Sequence, residues 1–219
     1  MSLLEEIGRS AFSTKETFLN SFECGQYVSD QKIPGAIVEC GIAGGSQLAA
    51  MILGCESRGC THRLAYGFDS FEGIELAGPK DWAQPGLDGP HNNPPFDGEI
   101  KSSGITAISL EDVESNFRKW NIPNVILVKG WVQHTLFYYE SLIAEHGIAV
   151  LRLDMDVYEP TKHALKHLYP LVSPGGVIII DDWVLDGCQT ACLEYFEENN
   201  ITPVLHDIPN SGPKYFFKL

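Results

Sequence analysis

Carboxylates recur in this sequence at one kind of place, directly after short apolar runs. Glu39 lies near the end of the run 36–41, Asp69 follows 64–68, Asp154 and Asp156 follow 148–153, and Asp181 and Asp182 follow 177–180. A single Asp after a strand is often the N-cap of the next helix. In open α/β sheets, however, ligands bind outside the carboxyl ends of the strands, so acids at four ends would share one rim. Clustered carboxylates repel. At ~4 Å and an effective dielectric constant of ~20 each pair costs about 4 kcal/mol, so such a cluster must protonate or hold a cation. Oxygen donors alone suit Mg²⁺, Mn²⁺ or Ca²⁺ rather than Zn²⁺. Asp154, Asp181 and Asp182 are the candidate metal ligands; the alternative is that these acids cap helices or pair with Arg152 and lysines. Asp154 and Asp156 point to one side if their segment stays extended.

The first run leads into a glycine turn with Gly41, Gly44 and Gly45. Glycines there let the backbone approach a ligand, and the following helix offers free N–H groups. The spacing is not the dinucleotide pattern GxGxxG, which disfavours an NAD-dependent oxidoreductase. An acid at the end of the second strand, here Asp69, typically accepts hydrogen bonds from ribose hydroxyls. The first half therefore reads as a site for a nucleoside-containing cofactor.

The elements that must position these residues alternate. Residues 1–33 have helical, amphipathic spacing up to the break at Ile33-Pro34-Gly35. Strands are expected at 36–41, 64–68, 125–129, 148–153 and 177–180, and helices at 46–57, 109–120, 136–145, 161–169 and 186–199. Ser109-Leu110-Glu111-Asp112 resembles a capping box. Near-continuous apolar strands in βαβα order predict a parallel sheet with helices on both faces. Two last strands, 202–206 and 214–218, are separated by hairpin length only, so the sheet should end in an antiparallel strand. The stretch 73–107, rich in Gly, Pro, Asn and Asp, is a candidate lid or a surface excursion. One domain spanning 1–219 is expected.

Composition sets limits. The chain has 219 residues, 44% of them hydrophobic, and a formal net charge of −14 with no Lys/Arg cluster, so nucleic acid is a poor partner. No apolar run is long enough to cross a bilayer, and residues 1–9 lack the basic start and apolar stretch of a secretory signal, so a cytoplasmic enzyme with no membrane contact is expected. The six cysteines contain no CxxC pair and read as reduced packing residues. His163 and His167, at helical spacing, look like packing or surface residues. His134 and His91 are alternative bases, and Trp82, Phe96 and Trp183 could line an acceptor pocket, with core packing favoured for Trp183.

Five strings in order, 38–45, 66–73, 128–131, 151–159 and 173–176 with Asp181-Asp182, resemble the macrocin O-methyltransferase (TylF-like) family over residues 36–185. The resemblance implies a Rossmann-like class I methyltransferase fold, with a seven-stranded, mostly parallel sheet, an antiparallel terminal strand and helices on both faces. It implies S-adenosylmethionine and Mg²⁺-dependent methylation of a small-molecule hydroxyl, often on a sugar of a natural product. It assigns Glu39, Gly41, Ala43, Gly44 and Ser46 to the cofactor's methionine end, Asp69 to the ribose, and Ser70, Phe71, Gly130 and Trp131 to the surroundings of the adenosine. It gives Asp154, Asp181 and Asp182 the metal and Asp156 the role of general base. The chain departs from the family pattern at Ala43, Met155 and Phe137, where Arg, Gly and Pro are common. A metal-dependent hydrolase and a non-catalytic nucleoside-binding module are the rival readings. The amphipathic N-terminal segment could pack against a second subunit in a homo-oligomer.

Overall fold

The computed structural model describes residues 2–81 and 99–219. Trp82, His91, Phe96 and the middle of the 73–107 stretch lie outside the described residues. The N-terminal segment forms two helices, α1 (Leu3–Gly8) and α2 (Lys15–Asp30), rather than one. Ser2 and Thr14 cap them by accepting backbone N–H bonds from Glu5 and Thr17, so the second start is encoded locally.

The strands are β1 (Ala36–Cys40), β2 (Ala65–Asp69), β3 (Val125–Lys129), β4 (Ile148–Leu153), β5 (Val172–Ile180), β6 (His206–Asp207) and β7 (Lys214–Phe217). They form one seven-stranded sheet in the order β3-β2-β1-β4-β5-β7-β6. The first five run parallel, and β7 enters antiparallel between β5 and β6. The intervening helices are α3 (Ser46–Glu56), α4 (Leu110–Lys119), α5 (Val132–Ala144), α6 (Tyr158–Leu168) and α7 (Asp186–Glu198).

The alternation of each strand divides the core into two layers. Ala36, Val38, Cys40, Leu151, Leu153, Ile178 and Ile180 pack with α5, α6 and α7 on one face. Ile37, Val150, Val177 and Ile179 pack with α1 to α4 on the other. Both faces are therefore covered, which is why β1 and β4 are buried along their whole length. On the second face α2 and α3 cross closely. A Cβ at Gly54 would lie 2.1 Å from the Phe22 carbonyl, and one at Gly25 would lie 2.1 Å from that of Met51.

Several boundaries differ from the sequence expectation, and β5 begins at Val172 rather than at 177. The strand expected at 202–206 shrinks to the two residues of β6, because Pro203 has no N–H to donate and the strand lies at the sheet edge. Helix α6 begins at Tyr158, not at 161, with Pro160 in its first turn where no N–H is required. Helix α5 begins at Val132 directly after β3, without a side-chain cap to announce it. Among the described residues no helix is long and apolar enough to cross a membrane.

Candidate active site

The parallel ladder runs one residue past each strand and so fixes the rim. The N–H of Gly41 donates to the Phe68 carbonyl at 2.8 Å, Asp154 to Cys40 at 2.9 Å, Asp181 to Leu153 at 2.9 Å and Gly130 to Asp69 at 2.9 Å. These bonds set the predicted site residues side by side along one edge. There the structure opens a cleft with about 890 Å³ of empty space, counting the part open to solvent. Of the residues assigned to the cofactor, Gly41, Ala43, Asp69, Ser70 and Trp131 line it, as do all four acids Asp154, Asp156, Asp181 and Asp182. Glu39, Gly44, Ser46, Phe71 and Gly130 are not among the residues that line it.

Gly41 shows why glycine is required after β1. Its φ is +81°, and a Cβ there would lie 1.7 Å from the Asp154 carbonyl oxygen, so the β1 and β4 ends could not come together. Asp69 ties the next two turns. It accepts the N–H of Ala43 at 3.0 Å and that of Phe71 at 2.7 Å, and both of those residues have positive φ, +44° and +56°. A carboxylate has about four acceptor positions, so Asp69 can hold both turns and still accept from hydroxyls in the cleft. Burial raises its pKa, against the lowering effect of these backbone bonds. The Ser70 hydroxyl is engaged locally, donating to the Gly73 carbonyl at 2.9 Å and accepting from the Glu72 N–H at 3.1 Å.

Beneath the acids lies Arg152, fully buried, between Glu39 and Ile179 in the sheet register. Its guanidinium donates to Glu39 at 2.7 Å, to Asp154 at 2.6 Å and to Asp181 at 2.5 Å. The pairing with Arg152 weighed as an alternative for the acids thus holds for Asp154 and Asp181. It leaves Asp156 and Asp182 with less compensation. The carboxylate oxygens of Asp154, Asp156 and Asp182 can all lie within 4.8 Å of one another, whereas Asp181 turns to the arginine. Asp156 occupies the left-handed region, φ +63°, and its N–H donates to Asp182 at 2.8 Å. Burial, reinforced by the charges of Asp154 and Asp181, pushes the Asp156 carboxyl up to about 7. Burial raises Asp181 to about 7 and Glu39 to about 8, in both cases against the lowering influence of Arg152. Asp182 is raised by burial and then by the three neighbouring aspartates.

Other cleft residues escaped the sequence reading. Glu75 lines the wall, accepts from Gln133 at 2.6 Å and is pushed by burial to about 7. It sits in an irregular stretch where spacing carries no periodic signal. Phe12, from the α1–α2 connection, is exposed at the mouth. The described histidines are not among the residues that line the cleft. His134 is exposed, and His163 is lowered by burial to about 4 and rests 4.4 Å from the ring of His167, which meets Glu140 at 2.9 Å. Trp183 is buried in the first core layer. All six cysteines are free, five of them buried.

An acid-rimmed cleft at the carboxyl edge of a sheet in this order defines a class I methyltransferase fold. The solved structure of the O-methyltransferase NovP superposes with a TM-score of 0.75 at 29% identity, covering 93% of this chain and 79% of that one. The calicheamicin methyltransferase CalS11, at 22% identity and a TM-score of 0.69 over 91% of this chain and 77% of that one, shares the fold. The chain belongs to the macrocin-O-methyltransferase (TylF) family, whose pattern matches residues 13–218, and is an O-methyltransferase. Its relatives include the 8-demethyl-8-(2,3-dimethoxy-alpha-L-rhamnosyl)-tetracenomycin-C 4'-O-methyltransferase of Streptomyces olivaceus, 31% identical over 194 residues, which are 86% of this chain and 68% of the relative. Another is the demethyldecarbamoylnovobiocin O-methyltransferase of Streptomyces niveus, 30% identical over 196 residues, 88% of this chain and 70% of the relative.

Proposed function

We propose that this chain transfers a methyl group from S-adenosylmethionine to a hydroxyl of a sugar-bearing small molecule, with a divalent cation held by the aspartates of the β4 and β5 ends. The observation that carries this reading is the convergence of Asp154, Asp156 and Asp182 in the same cleft as the glycine turn and Asp69. The donor set is all oxygen and fits Mg²⁺, with Mn²⁺ or Ca²⁺ as alternatives. The sugar follows from the rhamnosyl acceptor in the name of one relative.

The N–H groups around Gly41 and the carboxylate of Asp69 bind the donor's amino-acid end and ribose, and Trp131 borders its adenosine. Asp154 and Asp182 would hold the cation together with Asp181, whose carboxylate meets Arg152 beside them. Bound there, the ion supplies Lewis-acid polarisation that makes an acceptor hydroxyl more acidic. The acceptor oxygen forms its bond to the methyl carbon as the carbon–sulfur bond breaks, and the pair of electrons leaves on sulfur. Asp156 takes the hydroxyl proton. Burial and the neighbouring aspartates raise this carboxyl, and a cation beside it would favour the ionised form that accepts a proton. Cleft walls exclude water and align the two reacting atoms.

The test is incubation with S-adenosylmethionine, Mg²⁺ and a panel of rhamnosylated aromatic and macrolide acceptors, read by mass spectrometry for one added methylene and for S-adenosylhomocysteine. Asp156→Asn should lower turnover by about 10²–10⁴-fold while leaving S-adenosylhomocysteine binding intact. Wild-type turnover in that variant would remove Asp156 from the role of base.

A further inference from the structure

Helix α6 starts at Tyr158, two residues after Asp156, and its N-cap position is Val157, which offers no side-chain acceptor. The cap comes instead from a residue far away in sequence. Asp81 is fully buried, and its Oδ1 accepts the Tyr158 N–H at 2.9 Å while its Oδ2 accepts that of Gly78 at 2.7 Å. The same carboxylate presses on α7. A Cβ at Gly187, the second residue of that helix, would lie 1.6 Å from Asp81 Oδ1. The neighbouring Lys80 reinforces the strap from outside, donating to Glu194 of α7 at 2.7 Å and to the Tyr158 hydroxyl at 3.0 Å. The two helices gripped in this way are the ones that follow the two acid pairs.

Between Asp81 and the acids the chain has little slack. The Val157 N–H donates to the Met155 carbonyl at 2.6 Å, closing a three-residue turn around Asp156, whose own N–H reaches Asp182. The Leu185 N–H returns to the Asp182 carbonyl at 2.8 Å just before α7. A left-handed aspartate is strained backbone that persists only where its surroundings over-determine it. The capped first turn of α6 is one such constraint.

We propose that Asp81 is a positioning residue of the carboxylate site: by capping α6 and seating α7 it holds Asp156 in its left-handed turn and keeps Asp154, Asp156 and Asp182 convergent. The consequence for a cation rests on the proposed function; the geometry of the cap does not. Asp81 touches neither the glycine turn nor Asp69 through any bond described above, so its loss should separate cation binding from cofactor binding.

The experiment titrates Mn²⁺ into wild type, Asp81→Ala, Asp81→Asn and Gly187→Ala, following free Mn²⁺ by electron paramagnetic resonance, and measures S-adenosylhomocysteine binding to the same samples by calorimetry. Asp81→Ala should weaken Mn²⁺ binding about 10–100-fold, as loss of an outer partner of metal ligands does, with S-adenosylhomocysteine affinity unchanged. Asp81→Asn keeps one oxygen for the Tyr158 N–H and should recover part of that loss. Gly187→Ala leaves Asp81 in place but drives a methyl into its carboxylate, and so repeats the effect even if Asp81→Ala does not fold. Wild-type Mn²⁺ affinity in Asp81→Ala or Gly187→Ala would overturn the proposal, as would a parallel loss of both ligands. Wild type that binds S-adenosylhomocysteine but no Mn²⁺ would overturn the cation reading along with it.

Discussion

The roles of Asp156 and Asp181 can be told apart by experiment because their environments differ. Asp181 is bonded to Arg152, while Asp156 stands with Asp154 and Asp182 in the group whose oxygens converge. Ligation by Asp181 therefore requires exchange of the arginine for the ion, which a buried guanidinium with two further acids at 2.6–2.7 Å can sustain. Asp181→Asn should then weaken Mn²⁺ binding more than Asp156→Asn does, whereas Asp156→Asn should cost more in turnover. The reverse order in binding would make Asp156 the ligand. The acids themselves were legible in the sequence because each follows an apolar run. Arg152 entered only as a possible partner, since its bond to Glu39 depends on the pairing of β1 with β4, two strands far apart in the chain. Asp81 was not legible at all, because the helix it caps begins 77 positions later.

At the scale of elements, the rim depends on helices pressed tightly onto the sheet. The α2–α3 crossing has no room for side chains at Gly25 and Gly54. Gly54→Ala should force the helices apart and lower stability by about 1–3 kcal/mol, measurable by urea unfolding, with the cleft acids untouched. An unchanged midpoint would show that the crossing can relax. Strand positions and most helices were readable from period and burial, since an apolar run covered on both faces has one reading in an α/β chain. The short β6 was not, because pairing at a sheet edge depends on a proline and on the partner strand rather than on hydrophobicity. The starts of α5 and α6 also differ from the expectation: neither has a side-chain cap in its own segment, and Pro160 in the first turn of α6 reads as a boundary in sequence.

For the whole molecule, charge is the dominant feature. A net charge of −14 accompanies buried acids that hold protons more tightly when folded than the value near 4 expected of an unfolded carboxyl. Glu39 near 8, with Asp156 and Asp181 near 7, means that the folded state binds more protons than the unfolded one from about pH 4 to about pH 8. Stability gained from these groups is therefore present at the acid end of that window and lost as pH rises through it. Repulsion within the acidic molecule acts in the same direction. In EDTA the melting temperature should fall between about pH 5 and about pH 8, and, on the proposed cation site, Mg²⁺ at matched ionic strength should restore it at the upper end, because such an ion would bind only the deprotonated cluster. A melting temperature that rises over this window without metal would contradict the assignment of these buried carboxyls.

In the proposed function, one cleft takes S-adenosylmethionine and a divalent cation side by side. Calorimetric titration of S-adenosylhomocysteine with and without Mg²⁺ tests it most directly. Micromolar binding at a single site is expected in both conditions, with separate Mg²⁺ binding that Asp182→Asn removes without loss of S-adenosylhomocysteine. Absence of S-adenosylhomocysteine binding in both conditions would show that this cleft is not the cofactor site.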